Sequence, residues 1–428
     1  MLTSDGRRTV KNATLGKCLV SLSAGIIVSG FFGGVLAPGA AASGYEFDGI
    51  GARAIARGGA VIADAGDWTG IYWNPAGLVA AGEKQAGLEL RAGKQYTKDG
   101  DSFSVPGADF DKTRASSGFV IGSLGTVVPL NGRSAIAAGV YTPLLQGSDF
   151  KDTNPANLVA TSLDYKGSVI LGVANVSYAG KVTDDLSVGL GANAIYASLN
   201  SESEITWGAA LPGMGTQKNK SAAHGTGVEG IGGLTYRIND SWTAGAVLRS
   251  GAKIVLKGDE RAYLTNGLLS EKSDFTYPVH HPATSGLGVA WQASKDLKVT
   301  CDIAQAWWKG FSSRMTYDTP GILLGNRANA YHWFNSVKFR LGAIKRLDDK
   351  TEVMGGYAFD TWAIDKHSVD FSTAIDVPMH RISAAVSRTW SPIEATLGAL
   401  AGSGRRTSSG VDYSVRGWYV MSEIKYRF

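Results

Sequence analysis

The sequence predicts an all-β fold: a transmembrane antiparallel β-barrel, of 14 strands by the count below, with an N-terminal plug in its lumen. Three observations carry that expectation. Segments of about ten residues alternate apolar and polar side chains with period two. Short polar turns alternate with long polar stretches between those segments. Beyond the N-terminus, no run approaches the about 20 continuous apolar residues of a membrane-crossing helix. Composition agrees. The 56 glycines are spread along the chain together with 11 Trp and 16 Tyr, while prolines number 12. That mix suits strands with tight bends and is too aromatic for a disordered chain.

Residues 1–42 have the tripartite form of a secretory signal. Arg7, Arg8, Lys11 and Lys17 are its basic part, Cys18 to Leu36 its apolar part, and Pro38 to Ala42 the small residues before cleavage ahead of Ser43. These residues carry four basic groups against Asp5, so of the formal charge of +5 only +2 belongs to residues 43–428. A charge that small gives no footing to nucleic-acid binding. Cys18 falls in the leader, leaving Cys301 as a single thiol without an activating neighbour in sequence. Its expected role is a small apolar side chain on a strand face.

Residues 43–83 are rich in Gly and Ala, and their apolar spacing fits neither a long helix nor a regular strand. Asn74 before Pro75 reads as a helix start, Asn as N-cap and Pro at the first helical position. A compact small-residue segment ahead of a barrel is expected to be a hatch, with residues 84–428 as the wall.

In the last strand Phe428, Tyr426, Ile424, Val420 and Trp418 share one face, while Arg427, Lys425, Glu423 and Met421 share the other. Such a strand faces lipid outside and water or plug inside, with its aromatics at the two interfaces. The pattern recurs at Leu186, Val188, Leu190 and Ala192, at Leu297, Val299, Cys301 and Ile303, and at Val337, Phe339 and Leu341. Tight turns are expected at Asn131-Gly132, Thr183 to Asp185, Asn239-Asp240, Ser294 to Asp296, Asp348-Asp349 and Ser391-Pro392. Longer polar stretches such as Asn200–His224 and Gly258–His281 read as external loops. Six hairpins plus a strand at about 84–95 and another at about 413–428 give fourteen, with both chain ends periplasmic. A barrel that wide has a lumen that must be open or plugged.

Gly51 to Ala60, Ala63-Asp64-Ala65-Gly66-Asp67 and Tyr72-Trp73-Asn74-Pro75-Ala76-Gly77-Leu78 together resemble the N-terminus of the FadL family. These are outer-membrane transporters of long-chain fatty acids and, in some members, of toluene-like aromatics or alkanes. Weaker matches are Val128 to Gly132, Gly139 to Pro143, Leu248-Arg249-Ser250 and Tyr426-Arg427-Phe428. The resemblance implies the Gram-negative outer membrane, capture of a hydrophobic molecule among external loops, and passage to a pocket inside the barrel. A hatch rearrangement involving Asn74, Pro75, Ala76 and Gly77 is then expected to open a path sideways through the wall. The family's opening lies at a kink in the third strand, here about 134–148, where Pro143 or Gly147 is the candidate interruption.

The physics of the cargo points the same way. An apolar molecule gains about 25 cal/mol per Å² on leaving water, which a water-filled pore does not exploit. Trp207, Leu211 and Met214, and Leu264 and Leu268, form apolar patches in the outer stretches that could collect it. If the cargo carries a carboxylate, Arg249, Lys338 and Arg340 on inward faces are the candidates to meet it. Expected partners are the hydrophobic molecule, outer-membrane lipid and lipopolysaccharide, and the barrel-assembly machinery, engaged through the strand ending at Phe428. No catalytic residue, cofactor or metal is expected. Gly189-x-Gly191-x-x-Ala194 lies within an alternating strand and is not a dinucleotide loop. His280-His281 reads as a pair of loop histidines. Asp64 and Asp67 are expected to bond locally within the hatch. The alternatives are a general diffusion porin and, from another class, an outer-membrane lipid hydrolase with a Ser-His site.

Overall fold

The computed structural model describes residues 48–428 apart from 100–102, 106–107, 111–113, 154–156, 311–312, 330–331, 366–375 and 409–410. The expected leader lies outside the described residues. The wall begins with β1 (Gln85–Asp99), β2 (Arg114–Asn131), β3 (Ser134–Thr153) and β4 (Ala160–Lys181). It continues with β5 (Leu186–Trp207) and β6 (Thr216–Arg237). Strand β7 runs in two parts, Trp242–Arg249 and Ala252–Leu264, and so does β8, Ser270–His281 and Ala283–Ser294. Strands β9 (Leu297–Trp307), β10 (Ser336–Arg346), β11 (Thr351–Asp360), β12 (Met379–Trp390), β13 (Ile393–Ser408) and β14 (Val411–Arg427) complete it. Each pairs antiparallel with its neighbours, and β1 closes the ring: Leu88 lies opposite both Leu124 of β2 and Ile424 of β14. Closure pairs every strand of the wall on both sides over at least part of its length.

Alternation explains why these residues form a wall. Leu190, Val228, Leu397 and Ile424 are exposed on its outside, while Asn193, Glu229, Thr396 and Glu423 are buried inside. The outward side is the lipid face. Trp242 and Trp291 stack at 5.6 Å beside adjacent turns, an aromatic anchor at one membrane boundary. All six expected turns join consecutive strands. In β9, Asp302 is buried and Ile303 exposed as the alternation predicts, with Cys301 half-exposed on the outer face.

The structure corrects the expected boundaries at the far end of the barrel. Strand β3 extends to Thr153, β1 reaches Asp99, and the last strand begins at Val411. Asn200–His224 and Gly258–His281 are mostly ladder and not loop, leaving only 208–215 and 265–269 as connections. Polar composition misled there because the outer face pairs charge across strands. Glu202 meets Lys220 at 2.6 Å and Glu204 meets Lys218 at 2.8 Å. The inner face of the same segments mixes apolar side chains such as Ile205, Ala223 and Phe275 with hydrogen-bonded polar ones, Ser201 to Ser221 and Asn219 to Gln217 and Glu260. His280 and His281 also lie in a strand, where neighbours point to opposite faces.

Candidate functional site

Residues 48–82 lie inside the ring, since their partners come from strands on every side. Helix α1 (Ala52–Ala56), helix α2 (Gly70–Trp73) and a 3-10 helix (Pro75–Ala81) are all short, the first and last rich in alanine. Asn74 caps the 3-10 helix, its Oδ1 accepting from the Ala76 amide at 3.1 Å, with Pro75 at the first helical position as expected. The same side chain donates to Ile62 O at 2.7 Å and to Leu234 O of β6 at 3.1 Å, so one residue ties two hatch segments to the wall. Trp68 Nε1 donates to Glu423 of β14 at 2.9 Å. The Val61 and Ile62 amides donate to Asp302 Oδ2 of β9 at 2.7 and 2.9 Å. Ser383 of β12 donates to Ala56 O, and Arg249 of β7 donates to Tyr72 O at 2.8 Å.

The wall makes room for the hatch with glycine. A Cβ at Gly233 would stand 1.9 Å from Asn74 Oδ1, one at Gly189 2.4 Å from the Ala76 amide, and one at Gly356 2.0 Å from the Gly58 amide. Gly87, Gly125 and Gly245 face Trp68 and Ile62 in the same way. On the hatch side Gly58 has φ +66° and lies against the carbonyl oxygens of Tyr357 and Leu341. Sequence reasoning took the glycines as a mark of strands with tight bends. Their recurrence at inward positions of successive strands was the available signal.

Around and below the hatch the interior is charged and paired. Arg53 bridges Glu352 at 2.7 Å and Glu394 at 3.0 Å; Lys425 also reaches Glu394. Arg57 and Lys298 both meet Asp64, at 2.6 and 2.7 Å. Burial pushes the Asp64 carboxyl up, but Arg57 and Lys298 outweigh it and hold it below the ordinary carboxylate range. Asp67 is likewise lowered against its burial, by Lys425 and by Thr69, whose amide and hydroxyl it accepts at 2.9 and 2.5 Å. Each aspartate thus bonds within the hatch, to Arg57 or Thr69, and also reaches across to the wall, at Lys298 or Lys425; no group of three metal-ligating side chains occurs among the described residues.

Above the hatch a cavity of about 90 Å³ is lined by Ile62, Tyr72, Trp73 and Val247 together with Arg249, Lys338 and Arg340. The three predicted inward cations therefore come together at one place. Arg249 is held by Glu229 at 2.7 Å, and Arg340 is paired with Asp360. His281 points inward to Glu229 at 2.6 Å. Higher still Leu171, Leu199, Ile254, Leu256, Phe275 and Tyr277 are buried in one apolar cluster, topped by a hydrogen-bonded group in which Asn219 and Tyr317 donate to Glu260. Trp207 and Leu264 belong to that cluster, and Leu211 and Met214 pack against it half-buried. Leu268 stands apart, 73% exposed.

The wall is interrupted between β2 and β3. Their pairing runs from the turn to Leu124 opposite Val140 and stops. Beyond that rung β2 pairs only with β1, and β3 only with β4. The β3–β4 register skips between Tyr141 and Leu144, at Thr142-Pro143, where proline offers no N–H to a ladder. Gly147, the other candidate, pairs regularly with Ser168. A cavity of about 1010 Å³ lies at this break, lined from inside by Ser123 and Tyr141 and from outside by Leu124 and Val140.

A sequence profile described as "Outer membrane protein transport protein (OMPP1/FadL/TodX)" matches residues 33–393. No curated protein sequence shows significant similarity to the chain. Among solved structures, a Pseudomonas aeruginosa FadL homologue superposes with TM-score 0.71 at 15% identity, covering 90% of this chain and 100% of that one. The P. putida toluene transporter TodX gives 0.69 at 18% identity, with 89% and 99% covered. The Ralstonia pickettii toluene transporter TbuX gives 0.68 at 18%, also with 89% and 99% covered. At these identities the structures establish the fold, and the profile establishes the family. The chain therefore belongs to the OmpP1/FadL/TodX family, Gram-negative outer-membrane β-barrels that transport hydrophobic compounds and are not enzymes.

Proposed function

We propose that this member carries small neutral apolar molecules, single-ring aromatics above all, and releases them sideways between β2 and β3. The observation that carries the reading is the lapse of the β2–β3 ladder beyond Leu124 and Val140, at a level where the way down is filled by paired charges. An apolar molecule loses its transfer free energy on entering such a charged lattice and keeps it on entering lipid. A neutral cargo is favoured over a carboxylate because Arg249 and Arg340 are already matched by Glu229 and Asp360. The toluene transporters among the structural neighbours agree with that choice.

Entry begins at the half-buried Leu211 and Met214, with Trp207 and Leu264 behind them and Leu268 outermost. The hatch, residues 43–83, moves at Asn74 to Gly77 to connect the cavity over Tyr72 and Trp73 with the wall break. Residues 1–42 are the export signal that is removed before assembly.

The test is uptake of labelled toluene, an alkane, oleate and a small sugar by cells lacking their own hydrophobic transporter. Toluene entry without sugar entry is expected. In a Cys301→Ala background, Thr142→Cys alkylated with a bulky thiol reagent is expected to stop toluene entry. Unchanged entry after alkylation overturns the sideways route. Oleate preferred over toluene overturns the neutral cargo.

A further inference from the structure

The break between β2 and β3 does not open onto a flat wall. The last rung before it, Leu124 opposite Val140, continues as one unbroken row of directly paired residues across the outside of the barrel. Leu88 lies opposite Leu124, Val140 opposite Ala174, Ala174 opposite Ala194, and Ala194 opposite Val228. The row runs large, large, large, small, small, large. Beside its middle, Gly172 lies opposite Tyr196 on the same face, and a Cβ built on Gly172 meets nothing within 4 Å. The small residues form a floor, with Val140 and Leu124 as one bank and Val228 and Tyr196 as the other. All these residues line the same cavity of about 1010 Å³ that also touches the inward-facing Ser123 and Tyr141. Its lining is apolar except for Ser123, Thr142, Thr226 and, at the far end, Lys253.

We infer that this trough is a second seat for the cargo on the lipid-facing side of the wall, across β4 to β6. The inference rests on the sideways route proposed above and extends it. The occupant is the neutral apolar cargo itself, because the trough is continuous with the break and starts at its lower rung. A molecule leaving the lumen there slides onto the alanine and glycine floor before it meets acyl chains. Past the hydroxyls of Ser123 and Thr142 at the break it stays against apolar side chains, so its transfer from protein to lipid keeps most of its surface out of polar contact. The trough's width, set by two alanines and one glycine between larger neighbours, limits what passes to flat or slender molecules.

The experiment fills the floor. Gly172→Trp and Ala174→Phe point outward, away from the hatch, and Ala384→Trp on the lipid face of β12 is the control. Labelled toluene uptake is expected to fall about fivefold or more in the first two and to match the parent in the control, with equal amounts of heat-modifiable barrel in the membrane. A p-benzoylphenylalanine placed at Val228, on the far bank, is expected to take up toluene label on irradiation. That label is expected to vanish when Thr142→Cys is alkylated. Uptake unchanged by both floor substitutions overturns the trough while leaving the sideways route standing. Label that persists with Thr142→Cys alkylated means toluene reaches Val228 from the bilayer, and overturns it too. Acyl-chain adducts with no toluene adduct assign the trough to lipid instead. If alkylation leaves uptake itself unchanged, the sideways route fails first.

Discussion

Around the hatch the barrel is filled with charges that meet in pairs; above it, the tall strands β4, β5, β7 and β8 turn mainly leucine, isoleucine and aromatic side chains inward. Glu394 with Arg53 and Lys425, and Asp64 with Arg57 and Lys298, contrast with Leu199, Ile254, Leu256 and Phe275. The lower half orders a plug by directional bonds, each worth little net yet costly to leave unmade. The upper half is held by burial, which is non-directional and which an apolar visitor can share. The difference teaches where a hydrophobic molecule can rest in this lumen and where it cannot.

Reversing the polarity of the upper half should have the largest effect. Ile254→Asp puts an uncompensated charge into the apolar cluster and is expected to cost on the order of 4 kcal/mol, read as a lower urea midpoint of the solubilised barrel. A midpoint within error of the parent would mean that water reaches this region and that the contrast between halves is false. In the lower half shape matters more than polarity. Gly233→Val drives a side chain into Asn74 and is expected to cost about 1–3 kcal/mol or to displace the hatch. Rapid trypsin nicking at Arg53 or Arg57, with the wall intact, would be the sign.

A smaller change tests the bonds themselves. Asp302→Ala removes the acceptor of two hatch amides and is expected to cost about 1–3 kcal/mol, seen as faster hydrogen exchange at Val61 and Ile62. Exchange unchanged there would shift the anchoring to Asn74. The gentlest perturbation is acid. Asp64 and Asp67 titrate below their ordinary value, so their contribution is complete above about pH 4 and fades as pH falls through their lowered values. Steady current through reconstituted protein is expected to be small at pH 6 and to rise only well below pH 4. A rise between pH 5 and 6 would implicate other groups.

Much of this was legible in the sequence because alternation with period two is a local signal. Val337, Phe339 and Leu341 declared their outward face, and Asn131-Gly132 declared its turn, from neighbours alone. Asn74-Pro75 announced a cap for the same reason. The heights of β3 to β8 were not legible, since a strand standing clear of the membrane has polar residues outside and resembles a loop by composition. Nor were the hatch anchors. Alternation turned Asp302 and Glu423 inward, but only the folded ring brings them to Val61, Ile62 and Trp68. Glycine is the extreme case. Gly189 reads only as one more residue of an alternating strand until Ala76 is found where its side chain would be.

Strand lengths around the ring are unequal. β4, β5 and β6 have 22 residues each, against 11 in β10 and 10 in β11. About ten residues suffice to cross a bilayer, so the tall strands reach roughly 70 Å along their own axes while the short ones do little more than span it. The rim is therefore a slanted collar. Its high side, carried by β4 to β6, stands well clear of the bilayer, while β10 and β11 end near the membrane surface. The barrel mouth therefore faces obliquely toward the short-strand flank, where residues of the chain between β9 and β10, Leu323, Leu324 and Trp333, are buried against the interior.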